Sequence, residues 1–314
     1  MSPADYTPFL NELEPTVAEL LDRHTSQAKE WFPHQLVPWG RGQDFEPGWE
    51  WSPTDAALPP EVRSSLFVNL LTEDNLPYYF RTIEAMFGRD SAWGEWGRRW
   101  TAEEGRHSIV IRDYLTVTRQ IDPVALERAR MAQVTCGQVP EPDLPHDGLV
   151  YVTLQELATR IAHHNTGKLL DDPVGYEVMK RVASDENRHH LFYRDATAAA
   201  IELDPSGMVL AIERQVRGFE MPGTGIIDFD EHARAIARAG IYDFQVHHDQ
   251  ILAPVVLRQW GVEGLTGLTD DAERARDALV DRIDRIGRAG RRLARRLARH
   301  REDEREPELV AQTG

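Results

Sequence analysis

The sequence has almost no cysteine and no long apolar run. Its single cysteine, Cys136, excludes an intrachain disulfide and a multi-cysteine metal site. No run of about 18 apolar residues occurs, so no transmembrane segment is expected. The first residues include several acids and lack the apolar core of a secretory signal, so a cytoplasmic location is the default expectation. Any metal must therefore be held mainly by oxygen and nitrogen ligands.

Positive charge is also scarce over most of the chain. The 314 residues contain 36 Lys and Arg against 52 Asp and Glu, which gives a net charge of -16. A surface that binds nucleic-acid phosphates needs clustered Lys and Arg, so no nucleic-acid partner is expected. One segment departs from this balance, because residues 285–301 contain no acid and eight arginines: Arg285, Arg288, Arg291, Arg292, Arg295, Arg296, Arg299 and Arg301.

The spacing of apolar residues predicts an all-α fold. Apolar side chains recur every three or four positions, and short segments rich in Pro, Gly and Asp interrupt them. We predict helices near residues 7–31, from 60 past 80 with a kink at Pro77, and at 91–121, 124–137, 148–170, 172–203, 205–218, 229–260 and 270–303. No linker separates two domains, so residues 1–270 are expected to form one domain, and residues 271–314 an Arg-rich C-terminal helix and tail.

Two segments repeat the pattern Glu-x-Arg-His. They are Glu104 to His107 and Glu186 to His189, and both lie within predicted helices. Residues three positions apart share one face of a helix, so the carboxylate and the imidazole can bind one metal together. A single Glu-x-x-His is expected about once by chance in a chain of this size, whereas two copies of the fuller pattern are expected well under about 0.05 times.

Each copy follows a further acid at nearly the same distance. Glu73 lies 31 residues before Glu104, and Glu156 lies 30 residues before Glu186. Ferritin-like di-iron proteins use one Glu from each of two helices and a Glu-x-x-His from each of the other two. The sequence therefore predicts a ferritin-like di-iron four-helix core within a larger helical bundle. Two Fe ions, favoured over structural zinc by the ligand types, would be held by Glu73, Glu104, His107, Glu156, Glu186 and His189.

Without the repeated spacing, Glu73 and Glu156 would be interpreted as ordinary helix acids. The histidines outside the predicted ligand set are interpreted as surface residues or as core residues with satisfied hydrogen bonds. The histidines in question are His163, His164, His190, His247 and His248. Asp185 could simply face water, although a carboxylate beside a ligand often orients the histidine of a neighbouring helix.

Several longer segments resemble the soluble acyl-[acyl-carrier-protein] desaturases, of the plant stearoyl type and its actinobacterial relatives. The resemblance covers about residues 29–260 and includes Trp31-Phe32-Pro33, Pro38-Trp39, Leu71 to Pro77, Trp100 to His107, Gln155 to Thr159, His164-Asn165-Thr166 and Asp185 to His189. It implies that a cis double bond is inserted into a saturated acyl chain carried on acyl carrier protein. It also implies the use of O2, of two electrons from a ferredoxin-type donor, and a homodimer.

The same resemblance implies roles for further residues. Thr159 would lie beside the metals and assist proton or oxygen handling, while Trp31, Asp185 and His107 would form an electron route to iron. Thr82, Ala85 and Met86 would line the acyl tunnel, with plain core packing as the alternative. Two departures stand out, because the stretch between Glu73 and Glu104 is shorter than in the plant enzymes and the Arg-rich C-terminal helix lies outside the matching motifs.

The acidic carrier protein must dock on a basic patch of this acidic chain. Arg23, Lys29 and the arginines of residues 285–301 are the candidates, although the latter could also form a solvated helix or contact an anionic membrane or nucleic acid. Two other functions remain open at this point. One is a different di-iron oxygenase, such as a hydroxylase or N-oxygenase, and the other is a non-catalytic protein that binds an acyl carrier or holds iron.

Overall fold

The computed structural model describes residues 6–221, 223 and 225–312, with side chains through residue 296. Within this part of the chain the regular structure is helical, and no strand is present. The helices are α1 (Thr7–Gln27), α2 (Pro33–Leu36), α3 (Pro60–Glu73), α4 (Leu76–Phe87), α5 (Ser91–Val117), α6 (Pro123–Cys136), α7 (Pro145–Leu169), α8 (Pro173–Leu203), α9 (Pro205–Gly218), α10 (Phe229–Arg238), α11 (Phe244–His247), a π-helix (His248–Gln259) and α12 (Asp270–Gln312).

Asp-Pro pairs fix the starts of three helices. The side chains of Asp122, Asp172 and Asp204 accept hydrogen bonds from the backbone N–H groups at the starts of α6, α8 and α9. A proline follows each aspartate, where its missing N–H costs nothing because the first turn leaves that group unpaired. The Asp172 cap sets the start of α8, the helix that carries Glu186 and His189.

The core is a ring of four helices: α3, α5, α7 and α8. Helix α3 packs on α5 and α7, and α8 packs on the same two neighbours, with the most extensive contact between α7 and α8. Helix α1 covers α5 and α8 from outside. The largest cluster of buried apolar side chains includes Trp96 and Phe192, whose rings stack 3.6 Å apart between centroids. The all-α, ferritin-like prediction is confirmed.

Several predicted helices differ from the observed ones, and the one predicted over residues 270–303 continues to Gln312. The first ends at Gln27 rather than near Trp31, and Pro15 lies inside it. The second is not a kinked helix, because α3 ends at Glu73 and α4 starts at Leu76, with Pro77 in its first turn. Proline is tolerated there and would be costly further along a continuous helix. The break leaves the Glu73 side chain at the very end of α3.

The predicted helix over residues 229–260 is divided into α10, α11 and the π-helix. Gly240, with a φ of +74°, follows α10, and Asp243 then caps α11 through the N–H of Val246. A positive φ is accessible to glycine at little cost, so the chain can turn there. Helix α12 packs on α9, α11 and the π-helix. Of its arginines, Arg299 and Arg301 lie outside the described side chains. No helix in the described part of the chain has an apolar stretch long enough to cross a bilayer.

Candidate metal centre

Six acid and histidine side chains from the four core helices meet in the interior. Their ligand atoms form two groups in which all atoms lie within 4.8 Å of one another. The first group contains Glu73, Glu104, His107 and Glu186, and the second contains Glu104, Glu156, Glu186 and His189. All six are buried. Because Glu104 and Glu186 belong to both groups, each would be within reach of a metal ion held by either group.

Each histidine turns the same ring atom towards the acids. His107 Nδ1 lies 3.5 Å from Glu73 Oε2, 3.2 Å from Glu104 Oε2 and 3.3 Å from Glu186 Oε1. His189 Nδ1 lies 2.7 Å from Glu104 Oε1 and 3.5 Å from Glu156 Oε2. Both rings bind their outer partners through Nε2. Nδ1 is therefore the atom that each ring offers to a metal.

The donor set fits a pair of divalent cations. Glu104 Oε1, Glu156 Oε2 and the Nδ1 atoms of His107 and His189 are buried, and among the described residues none of them makes a hydrogen bond of good geometry, although they lie close to one another. Burial, and then the charge of Glu186, raise the pKa of Glu156 well above its ordinary value. Four carboxylates packed together away from water need compensating positive charge. Two oxygen- and nitrogen-bound ions would supply it, and this ligand chemistry suits iron.

Asp185 lies directly behind His107. Its Oδ2 is 3.5 Å from His107 Nε2 and accepts hydrogen bonds from Trp31 Nε1 at 2.8 Å and Arg106 Nη2 at 2.9 Å. Arg188 pairs with Oδ1. Burial raises the pKa of Asp185, but the hydrogen bond from His107 and the neighbouring positive groups outweigh it and lower the pKa to about 2. The residues predicted for the electron route, Trp31, Asp185 and His107, thus form one hydrogen-bonded row.

Glu103 occupies the equivalent place behind His189 and is not among the residues predicted from the sequence. Glu103 Oε2 lies 3.0 Å from His189 Nε2 and 2.9 Å from His24 Nε2, while Oε1 accepts a hydrogen bond from Arg99 Nε at 2.7 Å. A signal was present, because Glu103 precedes Glu104 as Asp185 precedes Glu186. His24 has no such signal, since it reaches the site from α1 only through tertiary packing.

Three further side chains donate to the acids. Thr159 Oγ1 lies 2.9 Å from Glu186 Oε2, and Trp100 Nε1 donates to Glu156 Oε1 at 3.1 Å. His163 Nε2 lies 3.0 Å from Glu73 Oε1. His163 is buried, which agrees with its interpretation as a core histidine. Its hydrogen-bond partner, Glu73, belongs to the candidate centre. It is therefore part of the site's surroundings rather than a distant core residue.

The three predicted tunnel residues line one cavity. Thr82, Ala85 and Met86 border a space of about 430 Å³. Thr82 and Met86 also border a smaller adjoining cavity, which reaches Trp100 and Gln155. The smaller cavity holds about 20 Å³, and its lining residue Trp100 is hydrogen-bonded to Glu156, so one side chain separates it from the candidate centre.

Comparison with known proteins gives consistent matches. Residues 6–310 match the model of the fatty acid desaturase family. DesA1 of Mycobacterium tuberculosis, whose name assigns it to the acyl-[acyl-carrier-protein] desaturases, is 42% identical over 264 residues, which cover 81% of this chain and 78% of DesA1. Stearoyl-[acyl-carrier-protein] 9-desaturase 6 of Arabidopsis thaliana is 32% identical over 228 residues, which cover 67% of this chain and 58% of the plant protein.

A solved structure shares the fold. The X-ray structure of DesA2 from Mycobacterium tuberculosis, also named for acyl-carrier-protein desaturation, superimposes with a TM-score of 0.68 at 27% sequence identity. The match covers 82% of this chain and 96% of DesA2.

Proposed function

The chain belongs to the fatty acid desaturase family, and on that premise we propose that it is an acyl-[acyl-carrier-protein] desaturase that inserts a cis double bond into a saturated acyl chain. The observation that carries the proposal is the convergence of six buried side chains of metal-ligand type. The cavity bordered by Thr82, Ala85 and Met86 shares lining residues with a smaller one that reaches Trp100, the hydrogen-bond donor to Glu156. The names of the relatives support the carrier-bound substrate.

The proposed cofactor is a pair of iron ions, held by Glu73, Glu104, His107, Glu156, Glu186 and His189. When bound, the iron pair would supply the reduction of O2 that removes two hydrogens from adjacent methylenes. The reaction consumes one O2, two electrons from a ferredoxin-type donor and two protons. Together with the two hydrogens taken from the acyl chain, these yield two molecules of water. The protein must keep bulk water out, and the burial of all six ligands supports this requirement.

Thr159 is proposed to handle a proton next to the metals. Its hydroxyl has one hydrogen but three acceptors within reach, namely Glu186 Oε2 at 2.9 Å and the backbone carbonyls of Gln155 and Glu156 at 3.2 and 3.1 Å. Rotation about one bond therefore moves the donor between the carboxylate and the backbone. This lets the Glu186 carboxylate gain or lose a hydrogen bond without a change in the helix.

Electrons are proposed to enter along Trp31, Asp185 and His107. The Trp31 side chain is buried, and the guanidinium of Arg106 lies 4.7 Å from its ring centroid. Arg106 also donates to Asp185, so one arginine contacts two of the three residues, Trp31 and Asp185. The indole N–H and the imidazole Nε2 thereby meet at the same oxygen, Asp185 Oδ2.

The decisive experiment is turnover with acyl carriers. Purified protein, loaded anaerobically with Fe²⁺, is incubated with ferredoxin, its reductase, O2 and a panel of saturated acyl carriers of different chain length. We expect one carrier product with a cis double bond at one position, found by mass spectrometry after derivatisation. Hydroxylated or N-oxygenated products would instead indicate another di-iron oxygenase, and iron uptake without any product would indicate an iron-holding protein.

The homodimer implied by the resemblance remains a proposal. Ile109 on α5 and Val124 and Met131 on α6 are large apolar side chains exposed to solvent, and such exposed apolar surface is typical of interfaces. Sedimentation velocity would measure the mass in solution, and a species of one chain at micromolar concentration would contradict the proposal.

A further inference from the structure

Asp185, which contacts His107 Nε2 on the side away from the acids, has its negative charge balanced by two arginines. Asp185 accepts hydrogen bonds from Arg106, Arg188 and Trp31. The two guanidinium groups are mostly buried, with 20% and 13% of their side chains exposed. Buried cations are weakly screened by solvent, so they draw the negative charge of Asp185 towards themselves. Its distance of 3.5 Å from His107 Nε2 is correspondingly long for a hydrogen bond.

Glu103, which contacts His189 Nε2 in the same way, has its negative charge balanced by fewer arginines. Glu103 contacts one arginine, Arg99, whose side chain is 42% exposed and therefore screened by solvent. Its other oxygen is shared by two imidazole nitrogens, at 2.9 Å from His24 and 3.0 Å from His189. The His189 contact is thus a full hydrogen bond. More of the negative charge of Glu103 remains available to His189.

We propose that His24 is a positioning residue that acts through Glu103 on His189, and that the Glu156–His189 position is the tighter of the two metal sites. A carboxylate that accepts the outer N–H of a ligating imidazole fixes the ring and raises its basicity, and such partners change metal affinity by about 10- to 100-fold. His24 is buried and packs edge-on against Trp96. It therefore holds Glu103 Oε2 against His189 without adding a second guanidinium.

The inference rests on the proposed di-iron centre and predicts stepwise filling. Metal-free protein is titrated anaerobically with Co²⁺, whose visible absorption reports the geometry of each occupied site. Wild-type protein should bind one ion per chain before the second, with affinities that differ by about 10-fold or more. His24→Leu removes the donor to Glu103 and should weaken the first step by about 10-fold while the second is unchanged.

Two further variants separate positioning from a general structural effect. His24→Gln keeps a donor for Glu103 and should restore the first step to within about 3-fold of wild type. Trp31→Phe removes a hydrogen bond to Asp185, the partner of His107. It should therefore alter the second binding step and leave the first unchanged.

Two steps of equal affinity in the wild-type protein would overturn the inference even if His24→Leu were unstable. An unchanged first step in a folded His24→Leu protein would do the same. If the protein bound no Co²⁺ at all, the proposed metal centre itself would fail, which is a distinct result.

Discussion

Glu186 and Glu104 have the most central positions among the proposed ligands, because their carboxylates belong to both groups of ligand atoms. Glu186→Gln removes one negative charge and one shared donor at nearly constant volume. We expect bound iron to fall from two ions per chain to one or none, and desaturation to fall by at least about 100-fold, since even an outer partner changes affinity by up to that amount. Metal analysis of anaerobically loaded protein and product assays measure the two effects.

The matched control for this change is Glu177→Gln on the same helix. Glu177 is exposed and pairs with Lys180 one turn away, so its loss should leave both iron content and turnover unchanged. Full iron content in the Glu186→Gln protein would contradict the proposal that Glu186 serves both ions.

Thr159 allows a test that separates proton handling from metal binding. Thr159→Val keeps the shape of the side chain but deletes the hydroxyl that contacts Glu186. Turnover should fall by about 100-fold, the lower end of what positioned proton transfer contributes, while iron content stays at the wild-type value. Thr159→Ser should recover most of the activity because it restores the hydroxyl. Equal activity in the Val and Thr proteins would remove Thr159 from the reaction.

Four of the six proposed ligands could be predicted because the members of each Glu-His pair lie one turn apart on their own helix, which is a local regularity. Glu73 and Glu156 followed from their nearly equal spacing ahead of the two pairs. His24, Trp100 and His163 carried no such regularity, since each reaches an acid on a different helix. Histidines of that kind look identical in sequence to buried core histidines. Their contribution therefore became visible only from the packing of α1, α5 and α7 around the site.

At the scale of elements, the lengths of the long helices were predictable and the breaks between them were not. Asp-Pro pairs mark the starts of α6, α8 and α9 in the sequence itself. The end of α3 at Glu73 and the division of residues 229–260 at Gly240 and Asp243 were not predicted. A single Pro77 is compatible with a kink or with a new first turn, and the periodicity of apolar residues does not distinguish them.

The junction between α11 and the π-helix predicts a pH dependence of stability. His247 ends α11, is buried, stacks on Phe219, and lies with Nδ1 2.8 Å from Tyr242 Oη. Burial, and then the neighbouring His248, lower its pKa to about 4. The unfolded chain takes up a proton below about pH 6.5, while the folded chain does not until about pH 4. Stability is therefore lost as the pH falls from about 6.5 to 4, by about 3 kcal/mol for this group.

His247→Phe should abolish that part of the dependence. Urea unfolding of wild-type and variant metal-free protein at pH 7 and at pH 4.5 gives the difference directly. The variant should lose less free energy of unfolding between the two pH values than the wild type does. An identical loss in both proteins would show that His247 is protonated in the folded state or is not buried in solution.

Across the whole molecule, charge is distributed unevenly in a way that bears on carrier docking. The chain has a net charge of -16, yet Arg292, Arg295 and Arg296 of α12 are exposed. Arg23, the earlier candidate on α1, pairs with Asp195 at 2.6 Å and is less available for a partner. The exposed arginines of α12 are thus the best-placed candidates for an acidic carrier protein, together with the exposed Lys29.

Replacement of Arg292, Arg295 and Arg296 by Gln keeps α12 intact and removes only their charge. Three exposed charges at about 0.4 kcal/mol each should weaken carrier binding by about 5- to 10-fold at low salt and reduce its salt dependence. Turnover at saturating carrier should not change, because the proposed tunnel residues and the proposed metal ligands are untouched. The control replaces Arg285 and Arg288, which pair with Asp281 and Asp284 on the same helix and so contribute little free charge. Unchanged carrier affinity at low salt in the triple variant would exclude α12 from docking and leave Lys29 as the site to test.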